Sequence, residues 1–192
     1  MATFSSKPGV SADDGYFNTV SGSGYQNNAT TTIFGLNGAT PRSGFFRIPS
    51  VTIPRTSVIS AASMTLRAKS TISVACSVTI GPEAADNPAA VSSDSDGRGR
   101  SRATAASWTV PSMTSGNDYT SADFTTGMQA VVNRAGFASG NAVQILIDEA
   151  SSSDRRIVDA WNGTNLNTFD VTYTPPRSQP YGTRWDHHRA NY

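Results

Sequence analysis

Apolar side chains alternate with small or hydroxylated ones over residues 72–80. The apolar members are Ile72, Val74, Cys76, Val78 and Ile80, with serine, alanine or threonine between them. Because a β-strand directs successive side chains to opposite faces, this segment has one apolar face and one small, polar face. An apolar strand face must be covered, and a second sheet is the simplest cover. The run therefore predicts a β-sandwich.

Similar signals recur along most of the chain. Period-two patterns and β-branched residues predict further strands at 14–18, 30–36, 42–51, 58–68, 105–110, 142–147, 155–161 and 169–173. Asn37-Gly38 and Asn162-Gly163 are tight-turn pairs, and we expect 58–68 and 72–80 to be neighbouring strands. The predicted fold class is all-β: an antiparallel, jelly-roll-like β-sandwich with extended N- and C-terminal arms.

One segment has the period of a helix instead. Phe124, Met128, Val131 and Val132 share one helical face, and Gly136 follows them where a helix commonly ends. The sequence therefore predicts one short helix over about 124–135. Its length suits a helix that lies across one open end or edge of the sandwich.

Composition narrows the range of partners. Charged residues make up 15% of the 192 residues and the net charge is +1, which is too balanced for binding to nucleic acid or to a membrane surface. Cys76 is the single cysteine, and its place on the apolar strand face predicts a small buried hydrophobe. No apolar run resembles a secretory signal or a membrane span, so we expect a protein made in the cytoplasm.

The chain divides into a loose polar arm over 1–12, a β-sandwich domain over 13–174 and a C-terminal arm over 175–192. The C-terminal arm contains three prolines and three arginines, but it keeps aromatic residues that disordered segments usually lack. We therefore expect this arm to dock, either on the protein's own surface or on a partner protein, and we favour the partner protein. The residues predicted to make that contact are Tyr181, Arg184, Trp185, His187, His188 and Tyr192.

Residues 81–104 are too polar for a core and long for a loop inside a compact domain. Such loops are usually either disordered or functional, and we expect a solvated loop here. Arg98, Arg100 and Arg102 would lie on one side of an extended chain, and they form our second predicted partner-binding group. The nearby Asp94 and Asp96 weaken these arginines as a phosphate-binding footprint.

No arrangement in the sequence predicts catalysis, a metal or a cofactor. The only histidines, His187 and His188, are adjacent, which suits neither a catalytic triad nor a tetrahedral metal shell. Asp94 begins a segment that resembles a calcium loop, but arginines stand where later ligands are needed. Trp108 and Trp161 are candidate platforms for sugar binding, although an aromatic residue in a strand is more often part of the core.

The order of these signals resembles the DNRLRE-type β-sandwich domains and the related jelly-roll domains of phage virion proteins. The matching pieces are residues 14–18, 42–48, 51–54, 58–66, Trp108, 128–134, 140–143 and 169–173. The resemblance covers roughly residues 13–174. It implies a structural or adhesive module, and no catalytic residues can be transferred from it.

This resemblance leads to three hypotheses for function. The first is a phage virion structural protein, a capsid decoration (cement) protein that binds the major capsid protein and neighbouring copies. We expect it to be made in the host cytoplasm, to form a homotrimer and to lie on the capsid surface. The second is a carbohydrate-binding or adhesive module of a phage tail or fibre. The third, a hydrolase on a jelly-roll fold, is the least favoured, since no catalytic group stands out.

Overall fold

The computed structural model describes residues 1–20 and 22–177 of the chain, and these form eleven strands, two α-helices and one short 3-10 helix at Ser11–Asp13. The strands are β1 (Ala2–Ser6), β2 (Asp14–Asn18), β3 (Thr31–Asn37), β4 (Thr40–Ile48), β5 (Val58–Arg67), β6 (Cys76–Pro82), β7 (Ala106–Val110), β8 (Asp118–Thr120), β9 (Val143–Glu149), β10 (Arg155–Asp159) and β11 (Thr168–Thr174). The helices are α1 (Asp94–Gly99) and α2 (Thr125–Val132). The predicted all-β class is confirmed.

The strands pair into two antiparallel sheets. The four-stranded sheet has the order β1-β11-β5-β8, and the seven-stranded sheet has the order β10-β3-β4-β9-β6-β7, with β2 paired to β4. β3 and β4 form the predicted hairpin through Asn37-Gly38, where Gly38 has a φ of 65° that suits glycine. An isolated bridge between Ala68 and Val158 links the two sheets along one side.

The main core lies between the two sheets. β5 contributes Met64 and Leu66, and β11 contributes Phe169 and Val171, all of them buried. The alternation in these two strands is the one that the sequence shows, because each strand has one face toward the core and one toward solvent.

Strand β9 differs, because every residue from 143 to 147 is buried. Ile145 and Ile147 belong to the main core, whereas Leu146 packs with Phe17, Phe45 and Val91 in a second cluster. Val91 comes from the long loop that follows β6, so this loop covers the outer face of the larger sheet. A strand with cover on both faces can be apolar throughout.

The strand predicted over 72–80 is shorter than its pattern. β6 begins at Cys76, Ile72 makes only an isolated bridge to Met113, and the side chain of Val74 is 47% exposed. The carbonyl of Val74 accepts a hydrogen bond from the buried Arg156 instead of a strand neighbour. The chain crosses between the sheets here, so 58–68 and 72–80 are not neighbouring strands, contrary to the prediction.

Residues 2–6 are extended, as predicted, but they are not a loose arm. They form β1, which pairs with β11 from Ala2 opposite Tyr173 to Ser6 opposite Phe169. The ring of Phe4 packs edge-on against Phe169 at 6.2 Å between centroids. This apolar contact stabilises the pairing of β1 with β11, although most of the segment's residues are polar.

Helix α2 lies within the predicted range 124–135, and Met128, Val131 and Val132 are buried as the spacing predicts. It packs against β5 of one sheet and β6 of the other, so it closes one end of the sandwich. Helix α1 was not predicted. No helix in the described part of the chain is long and apolar enough to cross a membrane.

Candidate functional site

The C-terminal arm begins where β11 ends, at Thr174, and residues 174–177 are exposed. The residues predicted to bind a partner through this arm are Tyr181, Arg184, Trp185, His187, His188 and Tyr192, and all of them lie outside the described residues. Their role is still a prediction. The structure does show the place on the sandwich from which the arm departs.

The long loop over 81–104 is ordered, contrary to the prediction of a solvated loop. Asp94, at the start of α1, accepts backbone hydrogen bonds from Asn18, Gly24 and Tyr25 at 2.6, 2.9 and 3.1 Å. Burial would raise the pKa of Asp94, but these three hydrogen bonds outweigh it and hold the pKa below its ordinary value. The carboxylate therefore fastens the loop to the larger sheet.

Arg100 is the second anchor of this loop. Its guanidinium donates to Asp96, Glu83 and the carbonyls of Ala89 and Ala90, so all its N–H groups have partners. Burial would lower the pKa of Arg100, but the hydrogen bonds to Asp96 and Glu83 raise it above its ordinary value. A side chain this fully engaged holds the loop together and leaves no donor for a partner protein.

The other two predicted arginines differ from each other. Arg102 forms a bidentate pair with Asp148 at 2.9 and 3.0 Å, which leaves little of its charge for a partner. Arg98 is exposed, and only its Nη1 is engaged, by the carbonyls of Asn18 and Val20. The three side chains do not form one row on an extended chain, because α1 runs through Gly99. A partner contact stays a prediction for all three, and of these three only Arg98 keeps a guanidinium edge without a hydrogen bond in the described structure.

The two candidate sugar-binding tryptophans have opposite environments. Trp108 is 6% exposed and packs on Phe34 at 6.1 Å between ring centroids, so it belongs to the core. Trp161 is 39% exposed, on the turn that follows β10. Of the two, only Trp161 can present its ring to a ligand or a partner.

The turn that carries Trp161, residues 160–167, is held by a buried carboxylate. Asp159 accepts hydrogen bonds from the backbone and hydroxyl of Thr164 at 3.0 and 2.6 Å and from the backbone of Leu166 at 2.8 Å. Lys69 also lies 3.3 Å from Asp159. Burial would raise the pKa of Asp159, but these contacts lower it below its ordinary value. The exposed ring is therefore presented by a turn of fixed shape.

A second buried carboxylate, Asp14, holds the same turn from β2. Its Oδ2 accepts a 2.7 Å hydrogen bond from the backbone N–H of Trp161. Burial raises the pKa of Asp14 from 3.8 to about 7, against that hydrogen bond, and the negative charges of Asp159 and Asp13 raise it further. Sequence reasoning missed both carboxylates, because nothing local marks Asp14 or Asp159 as buried.

Cys76 is buried, and burial raises the pKa of its thiol above the ordinary value. It is the small buried hydrophobe that the sequence predicts. Among the described residues, no three acidic, cysteine or histidine side chains converge to hold a metal ion.

No model of a known protein family matches the chain, and no curated protein is significantly similar to it. The resemblance to phage sandwich domains therefore stays a prediction, and what the protein does must be inferred from its own residues.

Proposed function

We propose that the protein is a non-enzymatic phage virion structural protein, a capsid decoration (cement) protein that binds the major capsid protein and neighbouring copies of itself. The supporting observation is at one end of the four-stranded sheet, where both ends of the sandwich domain meet. Ala2 pairs with Tyr173 there, and Val58 pairs with Thr174. The side chains of Met1 and Val58 are 94% and 63% exposed at this end.

We call Met1, Val58 and residues 174–177 the terminal surface. Two exposed apolar side chains beside the start of a proline- and aromatic-containing arm favour a partner that covers both at once. An arm and a neighbouring surface that bind the same partner act as linked sites, so their joint affinity exceeds that of either one. A homotrimer, which we infer for the particle-bound form, would bring three such surfaces around one axis.

Co-sedimentation with purified capsids of the encoding phage tests this proposal. Val58→Asp puts a charge on the terminal surface beside Thr174, and we expect at least a tenfold loss of capsid binding. The matched control is Val74→Asp, an exposed valine at 47% exposure that lies outside the terminal surface. Removal of residues 178–192 should reduce binding as well. If the Val58→Asp variant and the protein without residues 178–192 both bind capsids as well as the unaltered protein, the proposal is wrong.

A carbohydrate-binding or adhesive module of a tail or fibre is the second candidate, and the exposed Trp161 favours it. The turn 160–167 and the adjoining residues 8–12 carry no ionisable side chain. They lie together because Asn162 donates to Ser11 at 2.7 Å and Asn165 donates to the carbonyl of Pro8 at 3.3 Å. A neutral surface with an aromatic ring and amide groups suits a neutral sugar better than an anionic polymer.

A glycan array probed with the intact chain distinguishes the two candidates. The adhesin function predicts binding to neutral glycans that disappears in Trp161→Ala and persists in Val58→Ala, which changes an exposed apolar residue elsewhere. Absence of glycan binding by the intact chain would eliminate the second candidate and leave the first.

A further inference from the structure

A cleft of about 340 Å³ opens where the long loop meets the larger sheet. Its walls come from the end of β2 and the residue after it, from α1 and the segment that follows, and from the end of β9. The lining residues are Phe17, Thr19, Arg98, Arg102, Asp148 and Glu149. A volume of this size is at the lower end of the range for small-molecule sites.

The charges in the cleft reduce to one cation and one anion. Arg102 and Asp148 neutralise each other through their two hydrogen bonds at 2.9 and 3.0 Å. Arg98 and Glu149 remain, and within the described residues neither one has an ion-pair partner within 4 Å. The cleft therefore presents one charge of each sign without an ion-pair partner, although the charge of Arg98 also acts on the buried carboxylate of Asp94.

The guanidinium of Arg98 is already fixed in position. Its Nη1 donates to the carbonyl oxygens of Asn18 and Val20, both at 3.0 Å. The edge formed by Nε and Nη2 makes no hydrogen bond within the described chain. Two parallel N–H groups on one edge match the two oxygens of a carboxylate, and their immobilisation lowers the entropy lost on binding.

One carboxylate oxygen of Glu149 accepts a hydrogen bond, and the other does not. Its Oε1 accepts a 2.7 Å hydrogen bond from the backbone N–H of Ser152, which fixes the carboxylate, and Oε2 has no partner among the described residues. A single free carboxylate oxygen can accept a hydrogen bond from an ammonium group.

We propose that this cleft binds a small dipolar molecule with a carboxylate and an ammonium group, such as a free amino acid. The carboxylate lies against the Nε–Nη2 edge of Arg98, and the ammonium group lies against Oε2 of Glu149. A ligand with only a carboxylate gains the first contact but is repelled by Glu149. This inference does not depend on the proposed virion function, since it concerns a free ligand and the isolated protein.

The test is an NMR titration of the full chain, following the ¹⁵N–¹H signal of Arg98 Nε. The ligands are glycine, β-alanine, 4-aminobutyrate and 6-aminohexanoate, which differ in the separation of their charges, with acetate and methylammonium as single-charge comparisons. We expect saturable shifts with at least one amino acid, at least tenfold weaker binding of acetate, and no shift of this signal with methylammonium.

Variants assign the two contacts. Arg98→Lys keeps the charge but removes the paired N–H groups, and we expect at least tenfold weaker binding, whereas Arg55→Lys changes an exposed arginine elsewhere and should have no effect. Glu149→Gln should remove the preference for the amino acid over acetate. The signal of Arg98 in the unaltered protein provides a result even if a variant fails to fold. Acetate that binds as tightly as every amino acid, or no saturable shift at all, would overturn the proposal.

Discussion

Replacement of Asp14 by asparagine should make the protein more stable at neutral and alkaline pH. Asp14 is 2% exposed and has negative neighbours in Asp13 and Asp159. Cations pair with these two neighbours and not with Asp14, since Arg47 lies 2.8 Å from Asp13 and Lys69 lies 3.3 Å from Asp159, and among the described residues Asp14 has no ion-pair partner within 4 Å. Asparagine has nearly the same shape, and its Oδ1 can accept the hydrogen bond from the backbone of Trp161.

The size of the stability gain from Asp14→Asn follows from the pKa of Asp14. Between pH 3.8 and about 7 the folded protein keeps a proton that the unfolded chain has lost, so rising pH favours unfolding over this interval. Each pH unit in that interval lowers the free energy of unfolding by about 1.4 kcal/mol, which gives a total loss of about 4 kcal/mol by pH 8. Asparagine does not titrate. Asp14→Asn should therefore match the unaltered protein near pH 3.5 and exceed it by up to about 4 kcal/mol at pH 8.

The assay is urea denaturation of both proteins at intervals from pH 3.5 to pH 8. The quantity of interest is the difference in their free energies of unfolding, which cancels the titration of the carboxylates common to both. Asp118→Asn, at an exposed carboxylate paired with Arg67, is the control and should change stability by less than about 1 kcal/mol at every pH. A difference between Asp14→Asn and the unaltered protein that does not grow with pH would refute the reasoning.

Three further substitutions and one control substitution test the packing. Arg100→Gln should destabilise the protein by about 3 kcal/mol, since the partly buried carboxylates of Glu83 and Asp96 and two loop carbonyls lose their donor, and limited proteolysis should then cut the long loop. Gly163→Ala should lower the free energy of unfolding by about 2 kcal/mol or more, because a Cβ would lie 2.6 Å from the carbonyl oxygen of Thr30. In the control, Gly99→Ala, the added Cβ meets nothing within 4 Å, and the free energy of unfolding should change by less than about 0.5 kcal/mol. Urea denaturation measures both changes. Arg156→Met should lower the thermal midpoint by several degrees in calorimetry, since the carbonyls that this buried guanidinium joins lose their donor.

The strands with a single buried face could be predicted from the sequence. Met64 and Leu66 in β5, and Phe169 and Val171 in β11, follow the period of two because only one side of each strand meets the core. The same alternation gave a wrong prediction at Val74. The pattern continues there, but the carbonyl of Val74 accepts a hydrogen bond from the buried Arg156 and the backbone is not part of a sheet.

The order of the long loop could not be predicted, because its anchors are distant in sequence. Asp94 accepts hydrogen bonds from residues 69 to 76 positions earlier, and no local pattern marks such a pairing. The two tryptophans show the same limit. Trp108 and Trp161 look equivalent in the sequence, but Trp108 packs on Phe34 in the core, whereas Trp161 lies on the exposed turn that Asp14 and Asp159 hold.

The pairing of β1 with β11 determines when the four-stranded sheet can be completed during synthesis of the chain. The side chains of Ser5 and Asp170 are hydrogen-bonded although they are 165 positions apart in the sequence. Strand β1 therefore cannot form its backbone hydrogen bonds until β11 has been synthesised. Such distant pairings are reached slowly, and the unpaired edges left meanwhile can associate with other nascent chains. Slow refolding and a need for chaperone protection are therefore expected properties of this protein.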